Sequence, residues 1–138
     1  MSFQTIPART SLAALVQRYL SSFPVACFSL TVLTDIAYWQ TSNLLWLHFS
    51  EWLLFAGLVF GVFAGLVAIT RRILGGGELS WLAILGWMIV LGLAVLNSLM
   101  HTADGWTAVM PYGIAISIAT IVLMLALALL RRRRETNA

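Results

Sequence analysis

An all-α integral membrane protein, built as a bundle of four transmembrane helices, is the fold that this sequence predicts. Of the 138 residues, 61% are hydrophobic and only 9% are charged, whereas a soluble domain is about half apolar and a quarter charged. The mean hydropathy is +0.94, and four apolar stretches are each long enough to cross a bilayer. The chain has eight arginines and no lysine, and every arginine lies outside those stretches.

Each predicted helix follows from the thickness of the bilayer, because about 20 apolar residues, rising about 1.5 Å each, are needed to cross roughly 30 Å of hydrocarbon. The stretches that meet this requirement are residues 21–40, 45–69, 80–100 and 111–130. Pro111 is expected in the first turn of the fourth helix, where its missing N–H group is harmless. Before the first helix, residues 1–20 are expected to form an interfacial segment with a short helix that bends into the membrane at Pro24.

The arginines predict the orientation of the bundle. They lie in the N-terminal segment, in the connection between the second and third helices, and in the basic tail, residues 131–138. Short connections favour an up-down-up-down order, which places all three regions on one side. Because positive residues concentrate on the cytoplasmic side, both termini are predicted to be cytoplasmic. The pI of about 9.8 then reflects topology, and no nucleic-acid partner is expected.

Small residues at helical spacing predict how the helices pack, because membrane helices associate through close backbone contact. The glycines expected at these packing surfaces are Gly57, Gly61, Gly65, Gly86 and Gly113. The pattern leaves open whether the partner helix belongs to the same chain or to another one. At the end of the fourth helix, Arg131, Arg132, Arg133 and Arg134 are candidates for binding anionic lipid head groups.

A cluster of polar residues is predicted near the outer ends of three helices. Its members are Asp35, His48, Glu51, Asn97 and His101. Ionisable groups are costly in a membrane unless they are paired or hydrated, so Asp35 needs a partner, and Asn97 or His101 is the nearest on helical spacing. The pairing has two interpretations: a structural hydrogen bond between helices, or a carboxylate and imidazole that handle a proton.

The sequence leaves the question of cofactors open. A haem between His48 and His101, or a quinone, is an alternative for the polar cluster. No metal site is predicted, and Cys27 is the only cysteine. Because the chain has no phosphate-binding loop and no nucleophile beside a base, an enzymatic activity is not predicted.

Three stretches carry a family resemblance: FPVACFSLTVLTDIAYWQT at 23–41, SEWLLFAGLVFG at 50–61 and LNSLMHTADGWTAVMPYGIAIS at 96–117. They resemble the bacterial membrane proteins known as the domain of unknown function 2231 family. The matching positions are Phe23, Pro24, Asp35, Tyr38, Trp52, Ala56, Gly57, Asp104, Gly105, Pro111 and Gly113. The resemblance implies a multi-pass protein of the bacterial inner (plasma) membrane. Relatives are often joined or adjacent to redox proteins, which implies a respiratory or photosynthetic setting.

The chain departs from the family pattern in two places. Typical members have His-Pro shortly before Phe-Pro, where this chain has Gln17 and Arg18, and many have a histidine early in the third helix, where Ala83 stands. If relatives hold a haem or metal with those histidines, this chain is expected to have lost that capacity.

The small size and the glycine pattern together favour one function. We predict an accessory or assembly subunit of a larger membrane complex, associating with other subunits or with itself. The alternative is a redox or proton-relay module based on Asp35, Asn97 and His101. A small transporter is disfavoured because few polar residues lie at mid-membrane to line a path.

Overall fold

The computed structural model describes residues 12–75, 80–102 and 109–136, and these residues form four long helices without any strand. The helices are α1 (Leu12–Thr41), α2 (Leu44–Ile73), α3 (Trp81–Thr102) and α4 (Ile114–Thr136), the last preceded by a π-helical turn, Val109–Gly113. All four are long and apolar enough to span a membrane. The predicted all-α membrane fold is confirmed.

The helices pack against one another in chain order, and α1 also packs against α4. One core cluster lies between them and is made of Phe28, Leu54, Val90, Ala94 and Met124. The outer faces expose large apolar side chains on every helix, such as Leu33, Phe63, Leu85 and Leu125. Apolar side chains can face outward at no cost in a bilayer, because lipid tails are as apolar as leucine.

Two residues, Ser42 and Asn43, connect α1 to α2. The Asn43 side chain accepts a hydrogen bond from the Leu45 N–H group at 3.0 Å, which caps the start of α2 and satisfies one of the N–H groups left free at a helix start. At the other end of α2, Gly75 has a φ of +74°. This left-handed conformation ends the helix and favours glycine because glycine lacks a Cβ atom.

The first helix corrects one expectation from the sequence. Instead of a separate interfacial helix that bends at Pro24, α1 is one helix from Leu12 onward with Pro24 in its interior; residues 1–11 of the expected segment lie outside the described residues. The Pro24 ring is buried and lies beside Gly61 of α2. Proline is tolerated inside a membrane helix when neighbouring groups support it.

The fourth helix begins later and ends later than the sequence predicts. Met110 has extended dihedral angles, φ −119° and ψ 125°, because the residue before a proline is disfavoured in the helical region. Regular helix therefore starts at Ile114, after Pro111 and not at it. At the other end α4 continues to Thr136, so most of the predicted basic tail is helical.

The glycines of α2 and α3 pack against other helices of this chain. A Cβ atom on Gly57 would overlap the Phe28 ring of α1, and one on Gly61 would lie 2.6 Å from the Leu91 side chain of α3. The remaining contacts are Gly65 with Trp87 and Gly86 with Leu127, and Gly113 is buried in the π-helical turn. Gly57, Gly61, Gly65 and Gly86 therefore contact other helices of the same chain.

Two side-chain hydrogen bonds add to the contacts of α2. Trp87 of α3 donates its indole N–H group to the Gly61 carbonyl at 3.0 Å, and Gln17 of α1 donates to the Ala64 carbonyl at 3.0 Å. Polar groups that bond across helices tie a membrane bundle together where apolar contacts alone give little preference.

Candidate functional site: a buried carboxylate and imidazole

The centre of the candidate site is the Asp35 carboxylate, which is completely buried. Its Oδ1 atom accepts a hydrogen bond from the Ser50 hydroxyl at 2.6 Å and lies 2.7 Å from His101 Nε2. Its Oδ2 atom accepts from the Ser117 hydroxyl at 2.7 Å. These partners come from α2, α3 and α4, so a single side chain of α1 is bound by all three other helices.

The second ring nitrogen of His101 fixes the protonation of the pair. His101 Nδ1 lies 2.9 Å from the main-chain carbonyl of Asn97, and a carbonyl only accepts, so Nδ1 carries a hydrogen. The contact between Nε2 and Asp35 Oδ1 then needs one more proton, held either by the imidazole or by the carboxyl group. The pair has no net charge in either arrangement, which suits a site of low dielectric constant.

Asn97 joins the site through Ser117. Its Nδ2 atom donates to the Ser117 hydroxyl at 2.7 Å, and that hydroxyl donates its own hydrogen to Asp35. If the amide were rotated by 180°, Asn97 Oδ1 would accept the Ser117 hydrogen, and Asp35 Oδ2 would have no donor. The observed orientation leaves Asn97 Oδ1 buried with no hydrogen-bond partner among the described residues.

Helical spacing on each element brings these side chains to one place. On α1 the buried face runs through Cys27, Thr31, Asp35 and Tyr38, and on α2 through Leu47, Ser50, Leu54 and Gly57. Steps of three and four keep such residues on one face of a helix. His101 follows Asn97 by four residues, which is also why its ring reaches the Asn97 carbonyl.

Mostly apolar buried residues lie on both sides of the site along the described part of the bundle. One turn closer to the end of α1, Tyr38 packs with Leu47 and Val109 in a second buried cluster. On the other side lies the core cluster that contains Phe28 and Leu54. The pair therefore lies near one end of the bundle, roughly 9 Å along α1 from its last residue at the usual helical rise, and yet is shielded from that end.

The structure brings together three of the five residues named from the sequence and separates the other two. Asp35, Asn97 and His101 form the site described above. His48 and Glu51 lie on the outer surface of α2, where His48 Nδ1 is 3.2 Å from Glu51 Oε2 and the two side chains are 62% and 32% exposed. They form their own surface pair.

Two members of the site escaped the sequence analysis, and a third was seen only as a packing residue. Ser50 and Thr34, whose hydroxyl oxygens are 2.6 Å apart, give no signal of their own in the sequence, whereas Ser117 lies four residues after Gly113 and so shares the face predicted to pack. Serine and threonine in membrane helices usually bond to their own backbone, as Thr31 does with the Cys27 carbonyl. Only the position of Ser50, four residues before buried Leu54, marks it as facing inward.

The two histidines do not fit a shared haem. Both ring nitrogens of His101 are engaged, with Asp35 and with the Asn97 carbonyl, while His48 is exposed on another face and contacts Glu51. An axial ligand needs a free nitrogen directed at the iron. We therefore assign no haem to this pair of histidines.

An open groove of about 430 Å³ lies between α2 and α3, beside the site. It is lined by Glu51, Trp52, Phe55, Ser98 and Thr102. Among the side chains that the structure describes, Arg131 to Arg133 are exposed on α4, at the opposite end of that helix from Ser117.

A comparison with known protein families finds one match. The family described as "Predicted membrane protein (DUF2231)" matches residues 19–130, a stretch that begins within α1 and ends within α4. No curated protein and no solved structure matches the chain. This protein belongs to the domain of unknown function 2231 family of predicted membrane proteins.

Proposed function

We propose that this multi-pass membrane protein is a proton-relay module in which Asp35 and His101 together hold and exchange a proton. One observation carries the proposal: His101 Nε2 and Asp35 Oδ1 are 2.7 Å apart, in side chains that are almost fully buried. Carboxylate and imidazole are the side chains whose ordinary pKa values lie on either side of weakly acidic pH, so a proton can move between them at small cost.

The composition of the site supports proton exchange over a purely structural role. Helices can be bonded together without any ionisable group, because serine hydroxyls and asparagine amides suffice. Ser50, Ser117 and Asn97 provide such groups here. An aspartate and a histidine add a desolvation cost that must be offset by pairing. Buried ionisable residues of membrane helices commonly belong to proton relays.

The orientation in the membrane is part of this proposal. The arginine distribution favours cytoplasmic termini, and the site lies near the end of α1 that is opposite the N-terminus. The pair would then lie close to the outer face of a bacterial inner membrane, where a proton could be taken up or released on that side.

Infrared and NMR spectra of the protein in lipid nanodiscs test the proposal. A protonated carboxyl group gives an infrared band, and the band that disappears in Asp35→Asn is assigned to Asp35. The NMR signals of isotope-labelled histidine report the protonation of the His101 ring. We expect both signals to change together between about pH 4 and pH 9. A folded wild-type protein whose two signals stay constant over that interval would show that the pair is structural.

A second candidate function is that of an accessory or assembly subunit in a respiratory or photosynthetic complex. It is supported by the exposed aromatic side chains Trp52, Phe55 and Phe63, which follow one another along the outer surface of α2 and offer a large apolar contact area. Purification in mild detergent followed by mass spectrometry tests it. Defined partner subunits in constant ratio are the expected result, and a protein that elutes alone would contradict it.

A further inference from the structure

The route by which a proton could reach the buried pair is restricted by the bundle itself. Tyr38, Leu47 and Val109, all nearly inaccessible, close the near end, and the core cluster closes the other direction. Among the described residues, this leaves the side of the bundle as a direction of access. The α2–α3 groove opens on that side.

The groove and the site are adjacent residue by residue. The polar residues of the groove are Glu51, Ser98 and Thr102, and each directly follows a residue of the site in the sequence: Ser50, Asn97 and His101. On a helix, consecutive residues point about 100° apart, so one neighbour can face the interior while the next faces the groove. The groove therefore borders the faces of α2 and α3 that hold the pair.

Charge and hydrogen bonding also point to the groove. The Glu51 carboxylate lines the groove, is 32% exposed, and lies 3.2 Å from His48 Nδ1 on the same helix. The titratable groups along this route are Asp35 from α1 and, from α2, Glu51 with its surface partner His48, while α4 contributes the uncharged Ser117. Asn97 Oδ1, in a residue that is 1% exposed, has no partner in the described structure. A buried acceptor of this kind usually binds an ordered water molecule.

We propose that the α2–α3 groove is a water-filled entry path and that Glu51 transfers protons from it to the Asp35–His101 pair. The inference rests on the proposed proton-relay function. The Glu51 carboxylate takes a proton from a hydronium ion and releases water. The resulting carboxylic acid gives its proton through a water molecule on Asn97 Oδ1 to the pair, which then holds two protons, and Glu51 is a carboxylate again. The groove is large enough for several water molecules at about 30 Å³ each.

The rate at which the His101 ring N–H hydrogens exchange with solvent tests the path, measured by NMR on the full-length protein in nanodiscs. Glu51→Gln removes the transferring group, and Ser98→Leu fills the groove. We expect Glu51→Gln to slow exchange by roughly a hundredfold or more, the usual contribution of a positioned acid or base, and Ser98→Leu to slow it by blocking the path. Ser29→Leu is the matched control, because Ser29 lines a separate groove between α1 and α4; its exchange rate is expected to stay at the wild-type value.

Chemical rescue separates a proton-transfer role of Glu51 from a structural one. In Glu51→Ala, added formate is expected to restore exchange toward the wild-type rate, whereas added chloride is not, because only formate can accept and donate a proton. The entry path is overturned if Glu51→Gln or Ser98→Leu exchanges at the wild-type rate, or if formate restores nothing. The proposed function would still stand in that case. A wild-type pair that never exchanges its protons while folded would instead refute the proposed function.

Discussion

Replacing Asp35 by asparagine separates the two roles that a buried aspartate can have. In Asp35→Asn, the new amide N–H group can donate to His101 Nε2 and to the Ser50 hydroxyl, and Ser50 can then donate to Thr34, which lies 2.6 Å away. The amide oxygen can accept from Ser117, as Asp35 Oδ2 does now. Every hydrogen bond of the site is satisfied without an exchangeable carboxyl proton, so we expect the fold to survive and proton exchange to be lost.

Asp35→Ala provides the contrast, because it removes the acceptor of three hydrogen bonds at once. At about 0.6 kcal/mol for an average hydrogen bond between membrane helices, the loss is about 2 kcal/mol. Removing one partner of a buried pair raises the cost toward 3–5 kcal/mol, roughly the range for such changes in soluble proteins. We therefore expect Asp35→Ala to lower the free energy of unfolding by about 2–5 kcal/mol, and Asp35→Asn by less than about 1 kcal/mol.

Unfolding in mixed micelles with increasing denaturing detergent measures both variants against wild type on the same scale. The spectra described above report proton exchange in the same samples. If Asp35→Asn were as unstable as Asp35→Ala, the negative charge and not the hydrogen-bond geometry would hold the site together. Our inference that the Asp35–His101 pair carries no net charge, so that asparagine can replace the aspartate, would then be wrong.

Four further substitutions test helix packing and the surface pair by the same unfolding measurement. Gly57→Ala places a methyl group against a buried aromatic ring and is expected to lower the free energy of unfolding by about 1–3 kcal/mol. Gly92→Ala is the control and is expected to leave stability unchanged, because nothing lies within 4 Å of the added Cβ atom. Equal effects of the two substitutions would contradict packing within the chain. Trp87→Phe removes one hydrogen bond to a main-chain carbonyl and is expected to cost roughly 0.5–1.5 kcal/mol; no loss would mean that this bond adds nothing. His48→Gln disrupts only the surface pair with Glu51, so a change above about 1 kcal/mol would be inconsistent with its exposure.

The existence and number of the membrane helices could be predicted from the sequence, but the ends of two of them could not. Hydropathy and helix length depend on composition alone, because every spanning segment must meet the same bilayer thickness. The continuation of α1 through Pro24 could not be predicted from local sequence, because proline favours a bend and only the packed structure shows the ring buried inside one helix. The late start of α4 at Ile114 follows the extended backbone of Met110 before Pro111, which shifts the first regular turn.

For the site, the sequence alone indicates which polar residues are costly to bury and therefore need partners: Asp35, His48, Glu51, Asn97 and His101. The packing of the helices adds that Asp35 contacts His101 directly, that Ser50 and Ser117 also bind it, and that the glycines contact helices of the same chain. A hydroxyl or a glycine has many equivalent local uses in a helix. Which one it adopts depends on the helix that packs against it.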